Sequence, residues 1–455
     1  MKLNAYLERY RGRRIAVLGL GVSNQPLMGL LLGAGLDVTG CDRTPREKQS
    51  EAVLALERRG AKLRLGEDYL TGLKADVVFR TPGMLPTMPE IQNLAARGAE
   101  ITSEMEVFFE ICPCTILAVT GSDGKTTTTT LIAEMLKAAG RRVFLGGNIG
   151  TPLLPRSDEM QPEDLAVVEL SSFQLMDMRR SPHIAVVTNL APNHLDHHRD
   201  MDEYVTAKKQ IFLHQSADDV LVLNRDNAIT DGFTPEARGT VRKFSRRERL
   251  DRGVCLDGGV IYRDGAPLLR QEEIKLPGIH NVENYMAAIA AVEGLVPDDC
   301  IRQVAREFGG VEHRIELVRE KDGVRYYNDS IASSPSRTIA GLRSFPQKVI
   351  LIAGGYDKNI PYDVLGPELC AHVKTLVLTG ATAPKIRTAA ERAAAGGLTC
   401  PEILDVPDFY DAIRRAAAAA KPGDVVILSP ASASFDCFKN FMVRGEEFKK
   451  TVLAL

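Results

Sequence analysis

The stretch VTGSDGKTTTTTLIAEML, residues 119–136, reads as the end of a strand, a glycine turn and the first turns of a helix. Leu131, Ile132, Met135 and Leu136 share one face at helical spacing, and Gly140 closes the run. Val119 stands where the strict loop GxxxxGK[ST] has its first glycine, so the loop is the shorter Gly121-Ser122-Asp123-Gly124-Lys125-Thr126, followed by Thr127. The physics survives the shortening. Glycines let backbone amides approach phosphate, the helix N-terminus adds partial positive charge, and Lys125 adds a full one. Thr126 offers a hydroxyl to Mg²⁺. An ordinary glycine turn is the plainer alternative, and Lys-Thr at the helix start argues against it.

Working outward, short apolar runs alternate with amphipathic stretches, which predicts an α/β architecture with mostly parallel sheets. Toward the N-terminus, strands are expected at 15–18, 36–41 and 75–79, with a helix at 26–34. After the loop, strands are expected at 143–145, 165–168 and 184–188. Residues 238–277 look different, and the Asp257-Gly258-Gly259 and Asp264-Gly265 signals predict antiparallel hairpins added at an edge. Further strands are expected at 349–353, 375–379 and 424–428, with a helix at 408–420. At 455 residues the chain is long enough for about three domains. The expectation is a Rossmann-like N-terminal domain (1–112), a central P-loop-type ATPase sheet with added antiparallel strands (113–310) and a Rossmann-like C-terminal domain (311–455).

Composition excludes several classes. The chain is 44% hydrophobic and 25% charged with a net charge of -2, so nothing argues for nucleic acid or an anionic membrane. Cysteines 41, 112, 114, 255, 300, 370, 400 and 437 form no CxxC pair, which predicts reduced thiols in a cytosolic protein rather than a zinc site. Arg11, Arg13 and Arg14 before an apolar run loosely mimic a signal peptide, but Gly19-Leu20-Gly21 interrupts the run. No apolar stretch approaches the ~20 residues of a membrane span. A cytoplasmic location is expected.

Chemistry concentrates at strand ends. Glu169 follows the apolar run 165–168 and should emerge beside the loop as a Mg²⁺ ligand. NHLDHH (193–198) offers a transition-metal site, one histidine near a phosphate-bound Mg²⁺, or solvated loop histidines. The second is favoured over zinc because no cysteine or second histidine pair is near. GLGVSN (19–24), with Asp42 ending the next strand, resembles a dinucleotide fingerprint with Asn24 where the third glycine belongs. A nucleotide-sugar diphosphate would suit it as well as NAD. HRIE (313–316), YYNDSIASS (326–334), GGYDK (354–358) and SPASASFDCFKNF (429–441) bring Arg314, Lys358, Ser432 and Ser434 to predicted strand or loop ends, a set suited to a small carboxylate-bearing substrate.

Together these residues resemble the Mur ligases of peptidoglycan synthesis. GSDGKT, GGNIG (146–150), ELSSFQL (169–175), HNVEN (280–284), EHRIE (312–316) and SPASASFDCFKNF with RGEEF (444–448) fall in that family's order over essentially the whole chain, in the manner of its D-glutamate-adding branch. The resemblance implies ATP-dependent ligation of D-glutamate to UDP-N-acetylmuramoyl-L-alanine, with Mg²⁺, two ions, as cofactor, in cell-wall biogenesis and thus cell shape and division. A monomer is expected. Residue by residue, it implies ATP contacts from Gly121, Ser122, Asp123, Gly124, Lys125, Thr126, Thr127, Asn281, Arg314 and Asp329. It implies a metal site from Thr126, Glu169, His194 and Lys208, the last carbamylated, with Lys125, Glu169, His194 and Lys208 as the catalytic set. Val22, Ser23, Asp42, Arg43, Gly83 and Asn148 would hold the UDP-sugar, and Ser333, Lys358, Ser434 and Phe441 the D-glutamate. One departure stands out. Many members carry a lysine where Ile331 stands here, so the cation of that loop is absent or supplied from elsewhere.

The implied chemistry is carboxylate activation. Phosphoryl transfer from ATP makes an acyl phosphate, which the amine then displaces, and domain closure would keep water out. Folylpolyglutamate synthase shares the loop but would not explain the N-terminal nucleotide-fold unit. A non-catalytic NAD-sensing module would explain GLGVSN but leave Lys125 and Glu169 idle.

Overall fold

The structure is a computed structural model and describes residues 2–192, 197–358 and 360–455. The chain forms two compact units, Met1–Glu273 with Glu283–Val304, and Ile274–Val282 with Ala305–Leu455. Three sheets form among the described residues, two in the first unit and one in the second.

The first sheet holds β1 (Ile15–Leu18), β2 (Val38–Asp42), β3 (Lys62–Leu65), β4 (Val77–Arg80) and β5 (Glu100–Thr102). All pairs are parallel, in the order β3-β2-β1-β4-β5. The order reverses at β1, so the loops after β1, β2 and β4 flank a topological switch point at one sheet edge. Ile15 and Val17 face a core shared with the second sheet, while Ala16 and Leu18 pack against Leu73, Ile91 and Leu94 on the other side.

The second sheet holds β6 (Thr115–Thr120), β7 (Val143–Gly147), β8 (Leu165–Glu169), β9 (Ile184–Val187), β10 (Val220–Asn224), β11 (Thr240–Ser245), β12 (Val254–Asp257), β13 (Val260–Arg263) and β14 (Ala266–Arg270). Its order is β14-β13-β12-β11-β10-β9-β6-β8-β7. The expectation for 238–277 needs correcting in part. β11 pairs parallel with both β10 and β12, so only β12–β14 form antiparallel hairpins, turning at the two predicted sites.

The third sheet holds β15 (Glu316–Lys321), β16 (Val324–Asn328), β17 (Val349–Ala353), β18 (Val373–Leu378), β19 (Glu402–Asp405) and β20 (Val425–Leu428), ordered β15-β16-β20-β17-β18-β19. β15 and β16 form an antiparallel hairpin and the rest are parallel. Val349 and Leu351 face one core and Ile350 and Ile352 another, which is why 349–353 is apolar at every position. β3, β5, β10, β15, β16 and β19 lie outside the sequence expectations. β3, β5, β15 and β19 sit at sheet edges, where polar residues are tolerated and no apolar run marks the strand, whereas β10 and β16 are interior strands. Among the described residues no helix is long and apolar enough to cross a membrane.

Candidate active site

On the first unit the loop joins β6 to the helix Lys125–Ala138. Gly121 has φ +148° and a Cβ there would lie 2.0 Å from Thr188 Oγ1. Gly124 has φ +77° and a Cβ would lie 2.2 Å from Asn284 Oδ1. Both positions therefore require glycine. Asn284, in HNVEN, thus acts on the loop through close packing, a role the motif alone did not reveal.

The loop is pinned along one side. Ser122 N–H donates to Asn189 O at 2.8 Å, Asp123 N–H to Asn189 Oδ1 at 3.0 Å, and Thr188 Oγ1 to Asp123 O at 2.6 Å. The Ser122 hydroxyl donates to Ala191 O at 2.9 Å and lies 3.0 Å from Tyr204 OH. Ser122 and Asp123 therefore spend their amides on the loop's own shape. The helix's own ladder begins with the Thr128 N–H to Gly124 O bond at 2.9 Å, and the first-turn amides ahead of it project along the helix axis. Lys125 Nζ donates to Gly121 O at 2.9 Å and Ser122 O at 2.8 Å, holding its charge at the loop. Thr126 and Thr127 are buried in the same turn.

Glu169 ends β8 in register with Val119 of β6, which sets it beside the loop. It is 1% exposed. Its Oε1 accepts from Asn148 Nδ2 at 2.8 Å, while Oε2 is buried with no hydrogen-bond partner among the described residues. An orphaned buried carboxylate oxygen costs free energy unless a cation or donor completes it. Asn148 is thus brought to Glu169. Lys208, on the helix Met201–Leu213, is equally buried and donates to Thr120 Oγ1 at 2.9 Å and Gly121 O at 3.0 Å. Burial, then the neighbouring Lys125 charge, hold its amine well below the usual range, against the pull of Glu169. His194 lies outside the described residues. His198 is buried rather than solvated: its ring stacks on Phe173 at 5.1 Å and its Nε2 is 2.9 Å from Ser172 Oγ.

The loops after β1, β2 and β4 bring Val22, Ser23, Asp42, Arg43 and Gly83 to one edge of the first sheet, with Val22, Arg43 and Gly83 exposed. Asp42 shapes this edge by accepting Leu20 N–H at 2.7 Å and Thr44 N–H at 2.8 Å. Burial raises its pKa, but those amides outweigh it and the net shift is downward. Asn24, where the fingerprint's third glycine belongs, donates to Gly19 O at 2.8 Å and closes the turn with its side chain. Arg80, 1% exposed, pairs with Asp177 and donates to Phe173 O at 3.3 Å, tying the first sheet to ELSSFQL. No spacing marked it.

On the second unit, Arg444 does what the sequence did not reveal. It is buried, and donates to Ser330 Oγ at 3.0 Å, Ser330 O at 2.8 Å, Ala433 O at 3.0 Å and Ser432 O at 3.1 Å. Ser330 Oγ in turn donates to Phe441 O at 2.7 Å. One guanidinium thereby draws together the segments bearing Ser333, Ser434 and Phe441. Tyr356 N–H to Ala433 O, at 2.9 Å, joins the loop of the exposed Lys358 to the same group. Asp329 is buried and accepts Ser429 Oγ at 2.7 Å; burial pushes its pKa up to about 7. Asn281 is buried and donates to Pro277 O. Arg314 sits between His313 and Ile315, at φ 63° and 46°, a conformation L residues rarely adopt.

A short phosphate loop heading the parallel part of a mixed sheet, with a carboxylate and a buried lysine beside it, defines a nucleotide-dependent class of α/β protein. Residues 119–292 match the Mur ligase middle domain and residues 313–432 the Mur ligase glutamate ligase domain. The sequence is 53% identical to the UDP-N-acetylmuramoylalanine–D-glutamate ligase of Acetivibrio thermocellus, covering 99% of this chain and 98% of that one. It is 49% identical to the enzyme of the same name from Clostridium novyi, with the same coverage. In fold it is similar to the UDP-N-acetylmuramate-alanine ligase MurC of Thermotoga maritima, with a TM-score of 0.59 at 19% identity over 97% of this chain and 99% of that one. The chain belongs to the Mur ligase family. Members of that family are ATP-dependent ligases that require Mg²⁺.

Proposed function

We propose that this protein ligates D-glutamate to UDP-N-acetylmuramoyl-L-alanine with ATP, through an acyl phosphate, in the cytoplasmic assembly of peptidoglycan precursors. The observation that carries the reading is the 53% identity across 99% of the chain to a ligase of that name. The chemistry of the loop supports it.

An oxygen of the substrate carboxylate attacks the γ-phosphorus of ATP, the bond to the β–γ bridging oxygen breaks, and ADP leaves with that electron pair. Lys125 and the first-turn amides up to Thr127 neutralise the charge that gathers there. The amine of D-glutamate then attacks the acyl carbon. A C–N bond forms, the C–O bond to phosphate breaks with its electron pair on the phosphate oxygen, and the amine's proton passes to the departing phosphate. Lys358, Ser333, Ser434 and Phe441 would hold the amino acid, and Asn281, Arg314 and Asp329 the nucleotide. Val22, Ser23, Asp42, Arg43 and Gly83 would hold the UDP group, with Asn148 toward the muramoyl part.

Mg²⁺ fits the donor set, because the partnerless Glu169 Oε2 is a hard anionic oxygen beside the phosphate loop. Thr126 and Glu169 would hold one ion and His194 with Lys208 a second, and bound Mg²⁺ supplies neutralisation of phosphate charge. For Lys208 to serve, its Nζ must bond to CO₂ and lose a proton, giving a carbamate. Its burial beside Lys125 favours the neutral amine which that step needs. The division into UDP-, ATP- and amino-acid-binding domains at 112 and 310, and a monomeric state, complete the reading.

The test is phosphate release with ATP and UDP-N-acetylmuramoyl-L-alanine, comparing D-glutamate with L-glutamate. Release dependent on the D isomer is expected. Equal rates with both isomers, or none with either, would overturn the assignment.

A further inference from the structure

The second unit carries a guanidinium that the roles above leave unused. Arg337 lies in the first turn of the helix Pro335–Leu342, and its Nη1 turns back to donate to Ile331 O at 3.2 Å. The same carbonyl accepts Ser333 N–H at 2.8 Å, so the cation lies against the turn that bears Ser333. Ile331 itself offers that turn no charge. Arg337 is open to solvent, yet enough protein surrounds its charge that burial, followed by the proximity of Arg314, lowers its pKa.

Arg314 completes the observation. Its Nε is buried with no hydrogen-bond partner among the described residues. The two residues flanking it, His313 and Ile315, hold left-handed backbone, and for a β-branched residue that is a true strain. The fold thus keeps Arg314 in position against its local preference. Among the described residues neither arginine forms an ion pair. Asp329 lies near both, but its Oδ2 is engaged by Ser429 Oγ at 2.7 Å, and its raised pKa of about 7 leaves it only partly ionised near neutral pH. Ile331 N–H donates to His313 O at 3.1 Å, so the turn that holds Arg337 is tied to the residue before Arg314. Two neighbouring guanidinium groups with spare donors and no full counter-charge repel one another until an anion joins them.

We infer that Arg337 and Arg314 form a paired-guanidinium site for an oxyanion on the second unit, taking a carboxylate or a phosphate. Planar forks of N–H donors match both groups in two-point fashion. The inference rests on the proposed reaction, whose substrates supply both chemistries: the carboxylates of D-glutamate and the phosphates of ATP.

The test uses the full chain with Arg337→Gln and Arg337→Lys, folding being checked by circular dichroism. Michaelis constants are measured for ATP, D-glutamate and the UDP-sugar by phosphate release. Arg337→Gln should raise the constant for one anionic substrate about tenfold or more, as expected for loss of a charge-assisted contact, with the UDP-sugar constant unmoved and Arg337→Lys intermediate. A rise for D-glutamate identifies the carboxylate as occupant, and a rise for ATP the phosphate. No rise for either, or an equal rise for all three substrates, overturns the pair. If the wild-type protein does not use D-glutamate, the proposed reaction fails on its own. The pair is then read from unfolding temperatures in inorganic phosphate: stabilisation of wild type but not of Arg337→Gln supports it, and equal shifts overturn it.

Discussion

Replacing Arg444 with methionine should loosen the segments of the second unit that bear Ser333, Ser434 and Phe441 before any substrate is bound. The guanidinium makes four hydrogen bonds, to Ser330 Oγ, Ser330 O, Ser432 O and Ala433 O. At about 1.5 kcal/mol for each bond to a charged donor, their loss is worth roughly 6 kcal/mol. Against this stands the burial that lowers the arginine's pKa to about 10. That net shift, burial less the pull of Asp436 and Asp329, corresponds to about 3 kcal/mol against the charged form, a cost methionine does not carry. A net loss of about 3 kcal/mol follows, the scale expected when a buried polar network is broken. The chain has no tryptophan, so calorimetry is a better monitor than fluorescence, and the two units call for separate transitions. The second unit's transition should fall while the first unit's holds, and the Michaelis constant for D-glutamate should rise more than that for the UDP-sugar. Arg444→Lys, with one cationic head for four spread acceptors, should recover only part. A loss below about 1 kcal/mol, well under this estimate, would refute the reasoning.

Three further outcomes are expected. Gly124→Ala should cut kcat/KM by at least about tenfold, because the new Cβ meets Asn284 Oδ1 in a conformation alanine disfavours; near-normal phosphate release would contradict the loop geometry. Lys208→Ala should lose activity and regain part of it with bicarbonate or short carboxylic acids, and intact-mass measurement of the wild type should find one added CO₂; full unrescued activity would rule the carbamate out. Glu104 is buried, accepts Leu154 N–H at 3.0 Å, and has its pKa pushed by burial from 4.5 to about 7. The folded state therefore holds a proton that the unfolded state releases, so stability present at low pH is lost as pH rises from about 4.5 to about 7. Glu104→Gln should flatten that slope in urea titrations, and an unchanged slope would dismiss Glu104 as its source.

Much of the site was legible because its rules are local. A glycine turn before a helix, a lysine at the first helical position and a carboxylate ending the neighbouring strand all follow from consecutive residues, and they meet because β6 and β8 are parallel neighbours. The fingerprint's departure at Asn24 also has a local answer, a side chain that reaches Gly19 O. The edge strands β3 and β19 were not legible because they bury little and carry no apolar run, while interior β10 and β16 also went unread. The stretch 238–277 misled for a related reason: hairpin signals mark turns, not the direction in which the preceding β11 pairs.

The residues themselves determined the α/β alternation, the phosphate loop and the family, because backbone preference, hydrophobic period and motif spacing are properties of short segments. Tertiary structure alone decided which long-range partners those segments acquired. Asn284 closes over Gly124, Asn148 takes one oxygen of Glu169 and leaves the other bare, and Arg444 reaches Ser330 across 114 residues of chain. A side chain reveals its own chemistry in the sequence, but a buried hydrogen bond needs both ends, and distant ends meet only when the sheets and helices have packed.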